Sequence, residues 1–142
     1  MKAKAMKITA DRKETLLAEI RGCLEKHRDI VFAYAHGSFA TEDNFNDIDI
    51  AVFLDNIPDS PLQTELVLEA ELENAVRDFP MDVRVLNNSP LSFRYNVIRF
   101  GQPLLVNDDD IRSDFVETVI SNYLDFAPFR RMYLRETLGL AL

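Results

Sequence analysis

The sequence predicts an α+β (α/β) domain in which a small mixed β-sheet is flanked by helices. Helix-like and strand-like segments alternate along most of the 142 residues, which is the pattern of a sheet covered by helices. Hydrophobic residues make up 47% of the chain and charged residues 28%, so a core is expected and disorder is not. A chain of this length fits one core, and residues 1–142 are therefore expected to form a single domain.

The first half of the chain predicts one helix and two strands, with a candidate short helix between the strands. Apolar residues at helical spacing indicate an amphipathic helix over residues 11–27. Residues 30–36 are apolar, β-branched and aromatic and end at Gly37-Ser38, which predicts a buried strand and a tight turn. A second strand is expected over about residues 47–54.

The second half predicts three helices and two strands. A serine followed by proline is typical of a helix start, and it occurs at positions 60–61 and 89–90, before helices expected to reach about residues 79 and 99. Residues 81–86 alternate in polarity as a strand does, and residues 104–106 are a candidate short strand. A C-terminal helix is expected from about residue 108, and Pro128 predicts that it ends or kinks there.

Charge and composition exclude several classes of protein. The net charge of -8 argues against direct nucleic-acid binding, since such proteins neutralise phosphates with basic residues. The longest apolar runs fall far short of the ~20 residues of a membrane helix, and no apolar stretch follows the basic N-terminus, so neither membrane association nor secretion is expected. A single cysteine, Cys23, forms no internal disulfide, which agrees with a cytoplasmic location.

Three carboxylates form the candidate site. Asp47 and Asp49 are two residues apart on a strand and therefore project to the same face, and Asp82 stands second in a later strand. If these strands are neighbours, the three side chains favour a divalent cation with oxygen ligands, with Mg²⁺ as the natural occupant. Gly37 allows close approach of a phosphate, and Ser38 offers a hydroxyl and an N–H. An Asp-x-Asp pair alone often makes only a solvated turn, but this combination favours function.

The distribution of charge supports a metal. Residues 29–76 contain no Lys or Arg and eleven Asp or Glu. A phosphate bound in this region therefore needs a metal ion to supply positive charge.

The strand, the Gly37-Ser38 turn, Asp47-x-Asp49 and the later strand carboxylate together resemble the DNA polymerase β-type nucleotidyltransferase superfamily. The small domain and the chain end over residues 122–133 resemble more closely the minimal nucleotidyltransferases (MNT), antitoxins that are paired with HEPN toxins. The resemblance covers nearly the whole chain. It implies a single nucleotidyltransferase domain.

The resemblance also implies roles for individual residues. Gly37 and Ser38 would bind the nucleotide, while Asp47, Asp49 and Asp82 would be catalytic and hold two Mg²⁺ ions. The activity would be that of an adenylyltransferase antitoxin, with ATP as substrate. AMP would pass to a hydroxyl of a partner HEPN toxin, expected to be that of a tyrosine, with loss of pyrophosphate.

Two other functions stay open. Eight residues separate Ser38 from Asp47, two fewer than in the family pattern, which favours a weak or inactive antitoxin that neutralises its partner by binding. A nucleotidyltransferase with a small-molecule acceptor is the other alternative, although such enzymes usually have a second, substrate-binding domain.

Residues outside this constellation are assigned more simply. His36, at a strand end, is interpreted mainly as a packing residue. Arg84 shares the face of Asp82 and either neutralises the triphosphate or pairs with a carboxylate. Near the C-terminus, a stripe of aromatic residues is expected to be mostly core: Tyr123, Phe126, Phe129 and Tyr133. The neighbouring arginines are a candidate docking surface: Arg130, Arg131 and Arg135.

Overall fold

The computed structural model describes residues 6–7 and 9–138. The side chains within this range that are not described are those of Met6, Lys7, Ala127, Phe129, Arg130, Tyr133, Leu134, Thr137 and Leu138. The elements in chain order are β1 (Met6–Lys7), α1 (Ala10–Leu24), β2 (Ile30–His36), α2 (Gly37–Thr41), β3 (Asn44–Phe45), β4 (Ile48–Leu54), α3 (Pro61–Ala75), β5 (Met81–Val85), α4 (Leu91–Phe100), β6 (Gln102–Val106) and α5 (Asp109–Leu138).

Four strands form a mixed sheet in the order β5-β4-β2-β6. β2 runs antiparallel to both β4 and β6, while β4 and β5 are parallel. This arrangement confirms the predicted class, a small mixed sheet flanked by helices. A separate two-stranded sheet pairs β1 with β3. It was missed because strands of two residues carry no periodic signal.

The sheet buries an apolar cluster on each face. Ala33 and Ala35 of β2 belong to the cluster that includes residues of α1 and α3. Phe32 and Tyr34 belong to the other, which includes Val97 of α4. Because alternate strand residues point to opposite faces, the register places His36, Asp49 and Asp82 on the α4 side.

Two helices start and end differently from the sequence prediction. α1 begins one residue before the expected Asp11, because the side chain of Thr9 accepts a hydrogen bond from the Arg12 N–H and caps the helix. α3 is capped as predicted by Ser60 but ends at Ala75. The chain beyond it turns so that Phe79 is buried, which extends the apolar pattern past the end of the helix.

The structure differs from the prediction for the C-terminal segment at two places. α5 continues through Pro128 to Leu138, so of the two outcomes predicted at the proline an end of the helix is wrong, and a kink stays a prediction. Phe126, expected in the core, is 58% exposed, as is its neighbour Leu124 at 59%. The expectations for the side chains of Phe129, Tyr133 and Arg130 lie outside the described residues.

Across the described ranges, none of the helices has the length and apolar character needed to cross a membrane.

Candidate functional site

Three polar side chains stand in a row at one end of the sheet. The register places His36 of β2 opposite Asp49 of β4, and Asp49 beside Asp82 of β5. Asp47 lies one residue before β4. The fully buried Ile48 and Ile50 fix the alternation that turns Asp49 to the other face. The structure thus brings together the three carboxylates that the sequence singled out.

The Gly37-Ser38 turn lies against one of these carboxylates. Gly37 has φ 67°, a conformation that side chains disfavour. A Cβ at this position would also overlap Oδ2 of Asp49. The positive φ favours glycine at position 37, and a larger residue would also displace the carboxylate of Asp49. The turn and the carboxylates therefore form one site.

The pKa of Asp49 is raised from 3.8 to about 6. Burial is the main cause, the charges of Asp47 and Asp82 act in the same direction, and Arg84 opposes them. Like charges that crowd a partly buried carboxylate disfavour its ionised form. The site therefore favours a bound cation.

The residues fit a magnesium ion in kind. Mg²⁺ prefers oxygen ligands, and both Asp47 and Asp82 act electrostatically on Asp49. In their present conformation, the described side chains include no group of three His, Cys, Asp or Glu residues that could hold a metal ion. At this site one oxygen of Asp82 already accepts a hydrogen bond, so a metal ion would take its other oxygen or displace that partner.

The partner of Asp82 is Arg84. Its Nε donates to Oδ1 of Asp82 over 3.1 Å. Of the two roles that the sequence left open for Arg84, the structure therefore has the ion pair with a carboxylate. The hydrogen bond and the charge of Asp82 raise the pKa of Arg84, so the guanidinium is charged.

His36 behaves as the packing residue that the sequence favoured. Its ring meets that of Phe93 edge to face, with 5.4 Å between centroids. Burial lowers the pKa of His36 despite the opposing charge of Asp82, so the ring is neutral at pH 7. Its Nε2 is buried without a hydrogen-bond partner among the described atoms.

A cleft of about 580 Å³ opens beside Asp82. Its walls include His36, Asp82, Arg84 and Phe93, and the loop over residues 87–90. It is large enough for part of a substrate next to the carboxylates. A second cavity of about 330 Å³, between Ile30 and the start of α3, touches none of the site residues.

An aromatic cluster joins the segments that carry the site. Phe39 follows Ser38, Phe45 precedes Asp47 by two residues, and Phe79 precedes Asp82 by three. The ring centroids of Phe39 and Phe45 are 4.9 Å apart, and those of Phe45 and Phe79 are 4.8 Å apart. All three side chains are buried. The shortened loop is therefore anchored to the core through Phe45, a role that the sequence analysis missed.

Three glutamates of α3 hold the strand that carries Asp82. Glu65, Glu69 and Glu73 accept hydrogen bonds from backbone N–H groups of β5 over 2.8–3.0 Å; the donors are Val85, Val83 and Met81 respectively. β5 is an edge strand, so these carboxylates accept the hydrogen bonds that a neighbouring strand would otherwise accept. The sequence analysis did not predict this role of the three glutamates, although their spacing of four residues places them on one face of the helix.

A family model matches most of the chain. The family model described as polymerase beta, nucleotidyltransferase matches residues 18–110, which include all five predicted site residues. No curated protein matches the sequence significantly.

Solved structures share the fold. The chain is similar to one in the complex of tri-AMPylated Shewanella oneidensis HEPN toxin with MNT antitoxin, with 20% identity, coverage of 89% of this chain and 98% of that chain, and a TM-score of 0.72. A toxin–antitoxin structure with AMP-PNP matches with 22% identity, 86% and 98% coverage and a TM-score of 0.72. The MntA–HepT toxin–antitoxin structure matches with 20% identity, 88% and 98% coverage and a TM-score of 0.70.

Proposed function

Since the chain belongs to the polymerase beta nucleotidyltransferase family, we propose that it is a Mg²⁺-dependent adenylyltransferase antitoxin. It transfers AMP from ATP to a hydroxyl, expected to be that of a tyrosine, of a partner HEPN toxin in the cytoplasm. The observation that carries the proposal is the packing of the Gly37 turn against Asp49, in register with Asp82.

Each site residue has a proposed role. Asp47, Asp49 and Asp82 hold the metal, and Gly37 and Ser38 hold the triphosphate. When bound, Mg²⁺ lowers the pKa of the attacking hydroxyl and neutralises the leaving pyrophosphate. Asp82, which borders the 580 Å³ cleft, stands on the acceptor side of the site.

The reaction is a displacement at the α-phosphorus. The acceptor oxygen forms a bond to phosphorus, the bond to pyrophosphate breaks, and the hydroxyl proton passes to the carboxylate of Asp82. The chain's contribution is to hold the carboxylates and the turn in fixed positions, since catalysis of such transfers depends mainly on positioning and charge.

A protein acceptor is supported by two observations. The net charge of -8 disfavours a nucleic-acid acceptor. Among the similar structures, one contains a tri-AMPylated HEPN toxin and another contains AMP-PNP. These describe the related proteins, and their chemistry is the basis for the partner and donor proposed here.

Neutralisation by binding alone is the second candidate, because the loop from Ser38 to Asp47 is two residues shorter than the family pattern. The structure gives a reason to favour catalysis despite the loop. Phe45 is buried to 1% exposure and contacts Phe39 and Phe79, so the short loop is anchored and Asp47 stays beside Asp49.

The proposal is tested with ATP labelled at the α-phosphate, purified partner and either Mg²⁺ or EDTA. The wild-type protein is expected to label the partner only with Mg²⁺. Asp47→Asn is expected to abolish labelling while the circular dichroism spectrum stays unchanged, because Asp47 is exposed. Labelling at the wild-type rate by Asp47→Asn would show that the carboxylate assignment is wrong.

A further inference from the structure

The ion pair between Arg84 and Asp82 is unusual for its surroundings. The two residues are two apart on β5 and point to the same side of the sheet, and the N–O distance is 3.1 Å. No Lys or Arg occurs over residues 29–76. Among the described residues that line the 580 Å³ cleft, Arg84 is the one cationic side chain, since His36 is neutral.

This ion pair contributes little to folding. The side chains of Arg84 and Asp82 are 58% and 41% exposed, and ion pairs in such contact with solvent add little stability. Glu65 and Glu69 also act electrostatically on Arg84, but each already accepts a hydrogen bond from a β5 amide. Asp82 is therefore the carboxylate to which Arg84 is hydrogen-bonded.

One carboxylate cannot serve both cations equally well. A metal ion that takes an oxygen of Asp82 must compete with the guanidinium for it, because both are held by the same negative charge. If Asp82 turns to the metal, Arg84 is left charged in a cleft without its hydrogen-bond partner. It is then available to bind another anionic oxygen that enters the cleft.

We propose that Arg84 is the counter-ion of the free site, that it competes with the metal for Asp82, and that it binds an anionic oxygen of the substrate once Asp82 is released. This inference rests on the proposed function. The anionic oxygen comes either from a phosphate of the nucleotide or from an acidic side chain of the acceptor. Arg84 is thus a positioning residue in the free site and a substrate-binding residue in the loaded one.

The first test measures Mn²⁺ binding by calorimetry without nucleotide. Arg84→Met is expected to bind Mn²⁺ several-fold more tightly than the wild-type protein. Arg28→Met removes an exposed arginine just before β2, at the end of that strand away from His36, and is expected to leave the affinity unchanged. In the Asp82→Asn background, Arg84→Met is expected to leave the Mn²⁺ affinity unchanged. This double-mutant cycle isolates the competition between Arg84 and the metal for Asp82.

Unchanged or weaker Mn²⁺ binding by Arg84→Met would overturn the inference. An equal gain of affinity in the Asp82→Asn background would also overturn it, because the effect would then be general charge repulsion. A wild-type protein that neither binds Mn²⁺ nor transfers AMP would instead contradict the proposed function. The two failures are therefore distinguishable.

The second test identifies the source of the anionic oxygen. If it belongs to the nucleotide, Arg84→Met is expected to weaken binding of AMP-PNP in the presence of Mg²⁺ by about tenfold. If it belongs to the acceptor, AMP-PNP binding holds and the KM for the partner rises by a similar factor. If neither changes, the substrate half of the inference is wrong.

Discussion

At the level of a single residue, the raised pKa of Asp49 makes the stability of the protein depend on pH. This pKa is raised from 3.8 to about 6. Between these values the folded protein binds more protons than the unfolded chain, so the free energy of unfolding falls as the pH rises through this window. The loss is complete above about pH 6 and absent below pH 3.8.

Asp49→Asn is therefore expected to stabilise the protein at neutral pH. After allowance for solvent screening of this partly exposed group, the gain at pH 7 is about 1 kcal/mol. Urea denaturation at pH 7 measures it, and at pH 4 the variant and the wild-type protein should be equally stable. A variant without a gain at pH 7 would show that burial and the neighbouring carboxylates do not disfavour the ionised form of Asp49.

Sequence reasoning identified the charged residues of the site but not all their partners. The two-residue spacing of Asp47 and Asp49 predicts that both side chains point to the same face of the sheet. The alternating pattern of the later strand predicts the face to which Asp82 points. The exposed Arg84 has several rotamers within reach of different anions, and the sequence left its partner open. No local pattern indicates that Phe45 meets Phe39 and Phe79, since that contact depends on tertiary packing.

At the level of elements, the glutamates of α3 can bond to β5 because the spacing along the helix matches the spacing along the strand. Four residues of a helix rise about 6 Å, and two residues of a strand advance by about 6.6 Å. Glutamates at intervals of four therefore meet alternate N–H groups of β5 without distorting either element. This match closes the sheet edge and holds the strand on which Asp82 stands.

Glu69 tests this interaction. Glu69→Ala is expected to cost about 1–3 kcal/mol, because the partly buried Val83 N–H loses its acceptor. Glu69→Gln keeps an amide oxygen at the same place and is expected to retain most of that stability, as measured by urea denaturation. Equal losses in both variants would mean that charge, rather than the hydrogen bond, is what matters at this position.

The aromatic cluster of Phe39, Phe45 and Phe79 gives a second test at this level. Phe45→Leu is expected to lower stability by about 1–2 kcal/mol and also to weaken Mn²⁺ binding, since Asp47 loses its anchor.

The matched control is Phe32→Leu. Phe32 is equally buried and stacks on Phe53 with 4.9 Å between centroids, but it lies in the other apolar cluster. Phe32→Leu is expected to lower stability by a similar amount to Phe45→Leu and to leave the Mn²⁺ affinity unchanged. Equal effects of both variants on metal binding would show that the cluster stabilises the fold without positioning the site.

At the level of the whole molecule, the described side chains in the C-terminal half of α5 are exposed. Leu124, Phe126 and Met132 are exposed, and so are Arg131 and Arg135. The aromatic stripe that the sequence placed mostly in the core is thus open at Phe126, because helical spacing alone does not tell a buried face from a face kept for a partner. That this surface docks the partner stays a prediction.

The central claim is that the protein modifies its partner covalently rather than only covering it. Intact-mass spectrometry of the partner after incubation with the protein, ATP and Mg²⁺ tests this most directly. The partner is expected to gain the mass of one or more AMP units, except with Asp47→Asn, and the modified partner is expected to stay inactive after this protein is removed. An inhibited complex that yields only unmodified partner would contradict the claim and establish neutralisation by binding.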